Sequence, residues 1–224
     1  WTHGGLTATV GRQRIILNNA RFVGNVGFRQ NEQTFDALRL GYRASERLSF
    51  NYIYVDRVRR ILGDESANGE WGSDSHIGQV DLKTGIGDFS GYALLLDFEN
   101  AAAQSNQTYG LRWARAVTAE PYRFNLGAEF AAQSDYGNNP ASFDLNYYAA
   151  NASVQRGPWR FGVGGEVLEG NGARGFATPL ATLHAFQGWA DVFLTTPVDG
   201  VRDLNATVTW TDETPPFGRA LTLT

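Results

Sequence analysis

Apolar and polar residues alternate along most of this chain. A period of two places successive side chains on opposite faces of a β-strand. The pattern therefore predicts strands with one apolar face and one face of Gly, small polar and charged residues. We predict ten strands, near residues 6–14, 34–43, 48–57, 76–83, 89–99, 108–116, 122–133, 145–155, 159–169 and 202–210, with an eleventh that begins at Arg219.

The connections between these strands alternate between short and long. The short ones are 44–47, 84–88, 117–121 and 156–158, and the long ones are 15–33, 58–75, 100–107, 134–144 and 170–201. In an antiparallel sheet, this alternation places all of the short turns at one end and all of the long loops at the other. Outer-membrane barrels have this form, with short periplasmic turns and long extracellular loops. The sequence predicts an all-β, antiparallel up-and-down transmembrane β-barrel.

The alternative is a soluble up-and-down barrel whose apolar face points inward. Two features favour the membrane. Charged side chains recur in mid-strand on the non-apolar face, which suits a wet lumen and would be costly in an apolar core. Aromatic residues also gather near strand ends, as they do at membrane interfaces. These are Tyr42, Phe50, Trp113, Tyr122, Trp159 and Trp210.

One segment departs from the alternation. Between Leu180 and Leu194, apolar residues recur at helical spacing, after Pro179 and before Pro197. The spacing predicts a short helix inside the last long loop. Such a helix either folds into the lumen as a constriction or caps the rim of the barrel.

Composition narrows the classes of protein. The 224 residues include 26 Gly, no Cys and no Met, and the formal net charge is −4. Without Cys there is no disulfide framework, thiolate metal site or Cys nucleophile. An acidic chain is a poor general nucleic-acid binder. Because there is no Met, and because the last predicted strand is cut at Thr224, we expect residues 1–224 to be a single β-barrel domain that is incomplete at both ends.

Several loop segments carry a family resemblance. They are residues 11–14, 21–37, 63–66, 73–76, 175–186, 188–191 and 194–197. They resemble the alginate-export family of outer-membrane porins of Gram-negative bacteria. The resemblance implies that this chain is the N-terminal and central portion of an eighteen-stranded pore. It also implies passive diffusion or export of an alginate-like anionic polysaccharide or other small hydrophilic solutes. The expected partners are the outer-membrane lipid bilayer and the barrel-assembly machinery, with no nucleic acid and no cofactor.

A diffusion pore selects solutes by its width and by the charges on its lumen wall. A series of arginines could offer bidentate sites to sugar carboxylates. Alternatively, lumen charges on neighbouring strands, such as Arg112 and Glu129, pair to brace the wall. The direction of Arg12 and Arg14 stays open, because Leu6 and Val10 share their parity. The candidate lumen residues are Arg39, Arg43, Arg112, Arg123, Arg160, Arg12, Arg14, Asp97, Glu99, Glu129 and Glu166.

The last long loop supplies candidate contacts of its own. Its aromatic side chains could stack on sugar rings while polar neighbours bond hydroxyl groups; the alternative is packing within the loop itself. The candidates are His184, Phe186, Trp189 and Asp191.

Other functions have weaker sequence support. Ser75 and His76 are adjacent and would allow an outer-membrane hydrolase only if both reached one face, which alternation opposes. An adhesive or structural barrel without conductance is the remaining alternative. Asp64 begins a segment that resembles an EF-hand loop, but Ser75 stands where its last ligand, Glu, belongs. Residues 170–175 match G-x-G-x-x-G without the required βαβ unit. We predict no metal site and no enzyme.

Overall fold

The structure, a computed structural model, describes residues 1–63, 65–187, 190–212 and 221–223. These residues form one twelve-stranded sheet in which every strand pairs with the next strand along the chain. All of the pairings are antiparallel. The strands are β1 (Thr2–His3), β2 (Leu6–Gln13), β3 (Thr34–Arg43), β4 (Leu48–Arg59), β5 (Glu70–Thr84), β6 (Gly87–Leu96), β7 (Asn106–Ala119), β8 (Tyr122–Asp135), β9 (Asp144–Arg156), β10 (Trp159–Leu168), β11 (Val201–Asp212) and β12 (Leu221–Leu223).

The predicted fold class and the ten predicted strands are confirmed. Strand β5 starts at Glu70, six residues before its predicted start, because a β-bulge in β4 lets the ladder continue past Val55. The two-residue strand β1 is too short to give a periodic signal, and the sequence missed it. Strands β1 and β12 lie at the two edges of the sheet, which is open. Among the described residues, no helix is long and apolar enough to cross a membrane.

The predicted helix over Leu180–Leu194 is wrong. The described part of this segment holds one turn of 3₁₀-helix, Leu183–Ala185. Gln187 and Asp191 both have a φ of 54°, in the left-handed region, which interrupts a right-handed helix. The apolar residues at helical spacing instead follow an irregular path.

The outer face of the sheet is apolar and exposed. Its side chains alternate with those of the inner face along every long strand. At the ends joined by short turns, aromatic rings stack across or along strands: Tyr42 on Phe50 with centroids 6.5 Å apart, and Trp159 on Phe161 with centroids 6.3 Å apart. Large exposed apolar residues are typical of a surface that meets lipid. They include Val10, Val80, Leu82, Leu111, Phe124, Leu126, Phe130, Val163, Leu204 and Val208.

The inner face carries the apolar core near the end with the long loops. There, side chains from two long loops pack on side chains of the strands. The alternation in β6 had assigned Tyr92, Leu94 and Leu96 to an apolar face, and this face is the inner one, where all three are buried. The apolar stripe of β6 therefore meets the loops rather than lipid. Inner-face residues nearer the short turns are polar and accessible.

Candidate channel lumen

Two long loops fold against the inner face of the sheet and meet each other. We name residues 14–33 loop A and residues 169–200 loop B. Val23 and Leu180 form a parallel β-bridge between the loops, and the Gly24 amide donates to the Leu180 carbonyl at 2.8 Å. Gln33 joins the same two residues, since its Nε2 donates to the Gly24 carbonyl at 2.8 Å and to the Leu180 carbonyl at 3.0 Å. The two loops thus form one inner layer against the inner face of the sheet.

A buried ion pair ties loop A to the wall. Arg21 Nε donates to Glu166 Oε2 at 2.9 Å, and the Arg21 side chain is 1% exposed. The Arg21 guanidinium also lies 4.6 Å from the ring centroid of Phe186 in loop B. Gln187 Nε2 donates to the other oxygen of Glu166 at 2.6 Å. Glu166 on β10 therefore holds both loops.

A groove rich in arginine lies on the inner face of strands β1 to β4. We name it the basic groove. Arg39 Nε and Nη2 donate to Asn51 Oδ1 at 3.3 and 3.1 Å, so an amide holds this guanidinium in place. Within the described part of the chain, no ion pair joins Arg39 or Arg43 to an acid. The groove encloses about 750 Å³ and includes Thr7, Thr9, Gln13, Arg14, Arg39, Arg43, Ser49 and Asn51.

A second groove follows the inner face of strands β9 to β11 and encloses about 660 Å³. We name it the polar groove. Arg160 lies at its short-turn end and donates from Nη2 to Ser153 Oγ at 3.0 Å. Glu166, Phe186 and Gln187 line its other end. Arg123 lines a neighbouring cavity of about 590 Å³, which shares Gln155 with this groove. Hydroxyl and amide groups between these charges supply hydrogen-bonding positions along the wall.

Arg112 and Glu129 pair across strands β7 and β8. This is the alternative in which lumen charges on neighbouring strands brace the wall. Arg112 Nη1 donates to Glu129 Oε2 at 3.0 Å. The Tyr92 hydroxyl on β6 donates to the other carboxylate oxygen at 2.8 Å. Because the Glu129 side chain is 2% exposed, this network braces the wall.

Three of the predicted lumen residues lie elsewhere. Arg12 is on the outer face of β2, where its Nε donates to Asp36 Oδ1 at 2.9 Å; Leu6 and Val10 share its parity. Asp97 and Glu99 follow β6 with the parity of its outer face, because Leu94, Leu96 and Phe98 take the inner one. Asp97 Oδ1 accepts from the amide of Asn138 at 3.4 Å, so it joins two loops.

The predicted loop contacts lie mostly within the loops. His184 Nδ1 is 2.6 Å from Asp191 Oδ1, and the His184 ring lies 4.4 Å from that of Phe28 in loop A. Phe186 covers Arg21 and lines the polar groove. Trp189 lies outside the described residues.

Ser75 and His76, the described residues that were considered for hydrolysis, lie on opposite faces of β5. Ser75 is buried on the inner face and bonded to Ser73 Oγ at 2.7 Å, while His76 lies on the outer face against Tyr52. The described residues contain no group of three or more His, Cys, Asp or Glu that could hold a metal ion. Asp64, the first residue of the EF-like segment, is outside the described part.

Sequence reasoning missed Arg21, Asn51 and Asp203, the last of which lines the polar groove from β11. Arg21 lies in a loop, where no periodicity indicates which way a side chain points. Asn51 and Asp203 alternate with apolar neighbours on β4 and β11, so the parity that selected Arg39 and Arg160 also applied to them. Asn51 was not among the candidate lumen residues because only charged side chains, and no amides, were chosen as candidates.

Solved structures with the same fold include outer-membrane channels of Pseudomonas aeruginosa. OpdL is 18% identical with a TM-score of 0.70, and the match covers 93% of this chain and 57% of OpdL. OpdK, solved with vanillate, is 10% identical with a TM-score of 0.70, over 92% of this chain and 55% of that one. OccK2 (OpdF), in complex with glucuronate, is 11% identical with a TM-score of 0.67, over 92% and 56%.

This chain therefore has the fold of an outer-membrane β-barrel channel and spans little more than half the length of these structures. The neighbours also support the outer-membrane localisation that the strand pattern predicts. They are substrate-specific channels for small solutes rather than enzymes. No protein-family model matches the chain. No curated protein matches it either.

The resemblance to the alginate-export family is wrong. The matching structures are channels of the OprD and Occ type, not alginate-export porins, and export of a polysaccharide has no support. The segments that carried the resemblance include most of loop A and part of loop B. These parts of the two loops pack on the inner face of the sheet and on each other, so a likeness among them is a likeness of barrel architecture and does not identify a polymeric substrate.

Proposed function

We propose that this chain forms part of the wall of an outer-membrane channel for passive diffusion of small hydrophilic anions that carry a carboxylate. The basic groove is the observation that carries this proposal. Arg39 is fixed by Asn51 rather than neutralised by an acid, so its positive charge acts on the lumen. Arginine presents parallel N–H groups that match the two oxygens of a carboxylate.

The inner layer formed by the two loops favours a small solute over a large one. Loops A and B occupy space on the inner face, and the Arg21–Glu166 pair fixes them there. The glucuronate and vanillate of two structural neighbours are both small molecules with one carboxylate, which suits a guanidinium site. A basic wall raises the local concentration of anions, and weak exposed sites let them leave again.

The decisive test is ion selectivity of the full-length protein in planar lipid bilayers. We expect wild-type channels to prefer anions in a salt gradient, and the variant Arg39→Gln/Arg43→Gln to lose most of that preference. Arg115→Gln/Arg156→Gln is the matched control, because it removes the same two positive charges from the outer face, where Arg115 pairs with Leu126 and Arg156 lies beside Tyr122. If the double variant keeps the wild-type reversal potential, the basic groove does not set selectivity.

Solute class needs a second measurement in the same bilayers. Millimolar glucuronate should reduce the ion current through wild-type channels, and neutral glucose of similar size should do so far less. The Arg39→Gln/Arg43→Gln variant should respond to both sugars equally. Equal effects of both sugars on the wild type would reject a carboxylate-selective channel.

A further inference from the structure

Rows of paired residues divide the polar groove into three levels. Each row runs across β9, β10 and β11 on the inner face, and successive rows are two residues, or about 7 Å, apart along a strand. From the long loops towards the short turns, the first row is Ala149, Glu166 and Asp203, the middle row is Asn151, Gly164 and Asn205, and the last row is Ser153, Gly162 and Thr207. All of these residues line the groove.

The first row carries a carboxylate that can accept hydrogen bonds from a solute. Both oxygens of Glu166 already accept hydrogen bonds, from Arg21 Nε at 2.9 Å and from Gln187 Nε2 at 2.6 Å. Asp203 forms no ion pair with another described residue, and its Oδ2 accepts from Asn205 Nδ2 at 3.1 Å. Its Oδ1 has no partner among the described side chains. This row therefore repels an anionic group and attracts a hydroxyl donor.

The last row is basic. Arg160 Nε and Nη2 donate to Ser153 Oγ at 3.2 and 3.0 Å, so the Arg160 guanidinium lies at the level of this row. Arg123 stands at the same end of the groove, because Gln155 pairs in register with both arginines. Glu120, in the turn before β8, lines the cavity beside Arg123. Two guanidinium groups therefore face one carboxylate at this end, which attracts an anionic group.

The middle row is neutral and open. A Cβ at Gly164 would lie 3.2 Å from Asn205 Oδ1, and a Cβ at Gly127 on β8 would lie 2.8 Å from Asn151 Nδ2. The two glycines thus let both amides lie against the sheet rather than project across the groove. Among the described residues, nothing hydrogen-bonds the Asn151 amide or Asn205 Oδ1. Both asparagines can therefore bond a solute.

An aromatic ring from loop B closes the long-loop end of the groove. Phe186 lies with its centroid 4.6 Å from the buried Arg21 guanidinium, and the same side chain lines the groove. Asn19 of loop A lines this end as well. An aromatic face is a flat apolar surface on which the C–H face of a sugar ring can pack. The end of the groove thus combines such a surface with hydrogen-bonding groups.

We propose that the polar groove binds one monosaccharide acid in a single orientation. The carboxylate lies on the Arg160 guanidinium, the ring hydroxyls bond Asn151 and Asn205, and a further hydroxyl donates to Asp203. The distance between the middle and last rows, about 7 Å, suits a six-membered sugar ring that bears a carboxylate. The inference rests on the proposed function and deepens it, because it selects hydroxylated acids from the wider class of carboxylates.

An acid without hydroxyl groups fits this groove less well. It would displace water from Asp203 and from both amides without replacing the hydrogen bonds, which costs free energy. The test compares glucuronate with cyclohexanecarboxylate, which has the same ring size and charge but no hydroxyl. In planar bilayers with the full-length protein, we expect glucuronate to halve the ion current at an about tenfold lower concentration, equivalent to one or two net hydrogen bonds. Equal block by the two acids would overturn the proposal.

Variants locate the preference in the groove. Asn151→Leu/Asn205→Leu keeps side-chain size and should raise the half-blocking concentration of glucuronate about tenfold, with that of cyclohexanecarboxylate unchanged. Asn125→Leu is the matched control, because it makes the same change on the inner face of β8 outside the groove and should keep the wild-type preference. A wild-type preference in the double variant, or its loss in Asn125→Leu, would overturn the proposal.

Asp203→Asn tests the first row without a change of size. An amide oxygen accepts a hydroxyl more weakly than a carboxylate does, so the preference for glucuronate over cyclohexanecarboxylate should fall severalfold. Heat-modifiable electrophoretic mobility shows whether each variant is folded, and Asp203→Asn decides the question if the asparagine pair fails to fold. An undiminished preference in folded Asp203→Asn would contradict the assigned orientation.

The two proposals fail in different ways. Channels that prefer anions but are blocked equally by glucuronate and cyclohexanecarboxylate would reject the sugar-acid site and keep the proposed function. Channels without anion preference that still favour glucuronate over cyclohexanecarboxylate would reject the role of the basic groove and keep the site in the polar groove.

Discussion

Arg21 and Glu166 are 145 residues apart in the chain, and the Nε of Arg21 lies 2.9 Å from the Oε2 of Glu166. The Arg21 side chain is 1% exposed and that of Glu166 is 11% exposed. Arg21 Nη2 is buried and has no hydrogen-bond partner among the described residues. The Arg21 guanidinium is therefore buried, paired with one carboxylate and left with one nitrogen that lacks a hydrogen bond. We expect this arrangement to determine how substitutions at either residue change the free energy of unfolding.

Replacement of Glu166 by Gln should destabilise the protein by about 3–5 kcal/mol, because it leaves the buried Arg21 without a counter-charge. Urea unfolding followed by tryptophan fluorescence measures the loss. Replacement of both partners, Arg21→Met with Glu166→Leu, should restore stability to within about 2 kcal/mol of wild type, since apolar pairs of similar volume often replace buried ion pairs. A double variant as unstable as Glu166→Gln would contradict this reading.

Gly24→Ala should separate the two loops. A Cβ at Gly24 would lie 2.2 Å from Thr182 Oγ1 and 2.8 Å from Ala20 Cβ, so loop B must move away from loop A. We expect a larger and noisier single-channel conductance in planar bilayers. Gly78→Ala is the control, because its added Cβ meets nothing within 4 Å. Unchanged conductance in Gly24→Ala would mean that the contact between the loops does not narrow the channel.

Alternation of residues gave the strands correctly because each long strand has chemically different environments on its two faces. The same rule placed Arg39, Arg43 and Arg160 on the inner face. It gave the wrong face for Asp97, because β6 presents apolar residues inward. Alternation reports that the two faces differ, but not which one meets lipid, and the in-folded loops reverse the usual assignment there.

The conformation of the long loops could not be predicted from the sequence. The apolar residues between Leu180 and Leu194 had helical spacing, but Gln187 and Asp191 take left-handed backbone conformations. The bridge between Leu180 and Val23 of loop A joins residues more than 150 positions apart, and no local pattern encodes it. Arg21 was missed for the same reason: its partner lies on a distant strand.

Tyr92→Phe should lower the free energy of unfolding by about 1.5–3 kcal/mol. The Tyr92 hydroxyl donates a hydrogen bond of 2.8 Å to the buried carboxylate of Glu129, and the substitution removes it. Urea unfolding of the reconstituted protein measures the change. Tyr148→Phe is the matched control, since Tyr148 lies on the outer face and is 44% exposed. Equal effects of the two substitutions would show that the hydroxyl of Tyr92 adds nothing to the brace between Arg112 and Glu129.

Phe22 packs loop A against the inner face of the sheet, and Phe22→Ala should free the loop from that face. The ring centroid of Phe22 lies 5.3 Å from those of Tyr92 and Tyr147 and 6.0 Å from that of Phe176 in loop B. Removing a buried Phe costs about 3–5 kcal/mol. Here the loss falls on the inner layer, because the strands keep all of their backbone hydrogen bonds. We expect unchanged far-ultraviolet circular dichroism together with a higher conductance.

Phe193→Ala, at a loop B side chain that is 40% exposed, should change neither. If Phe22→Ala instead lowers the strand signal, the inner layer is needed to hold the wall itself.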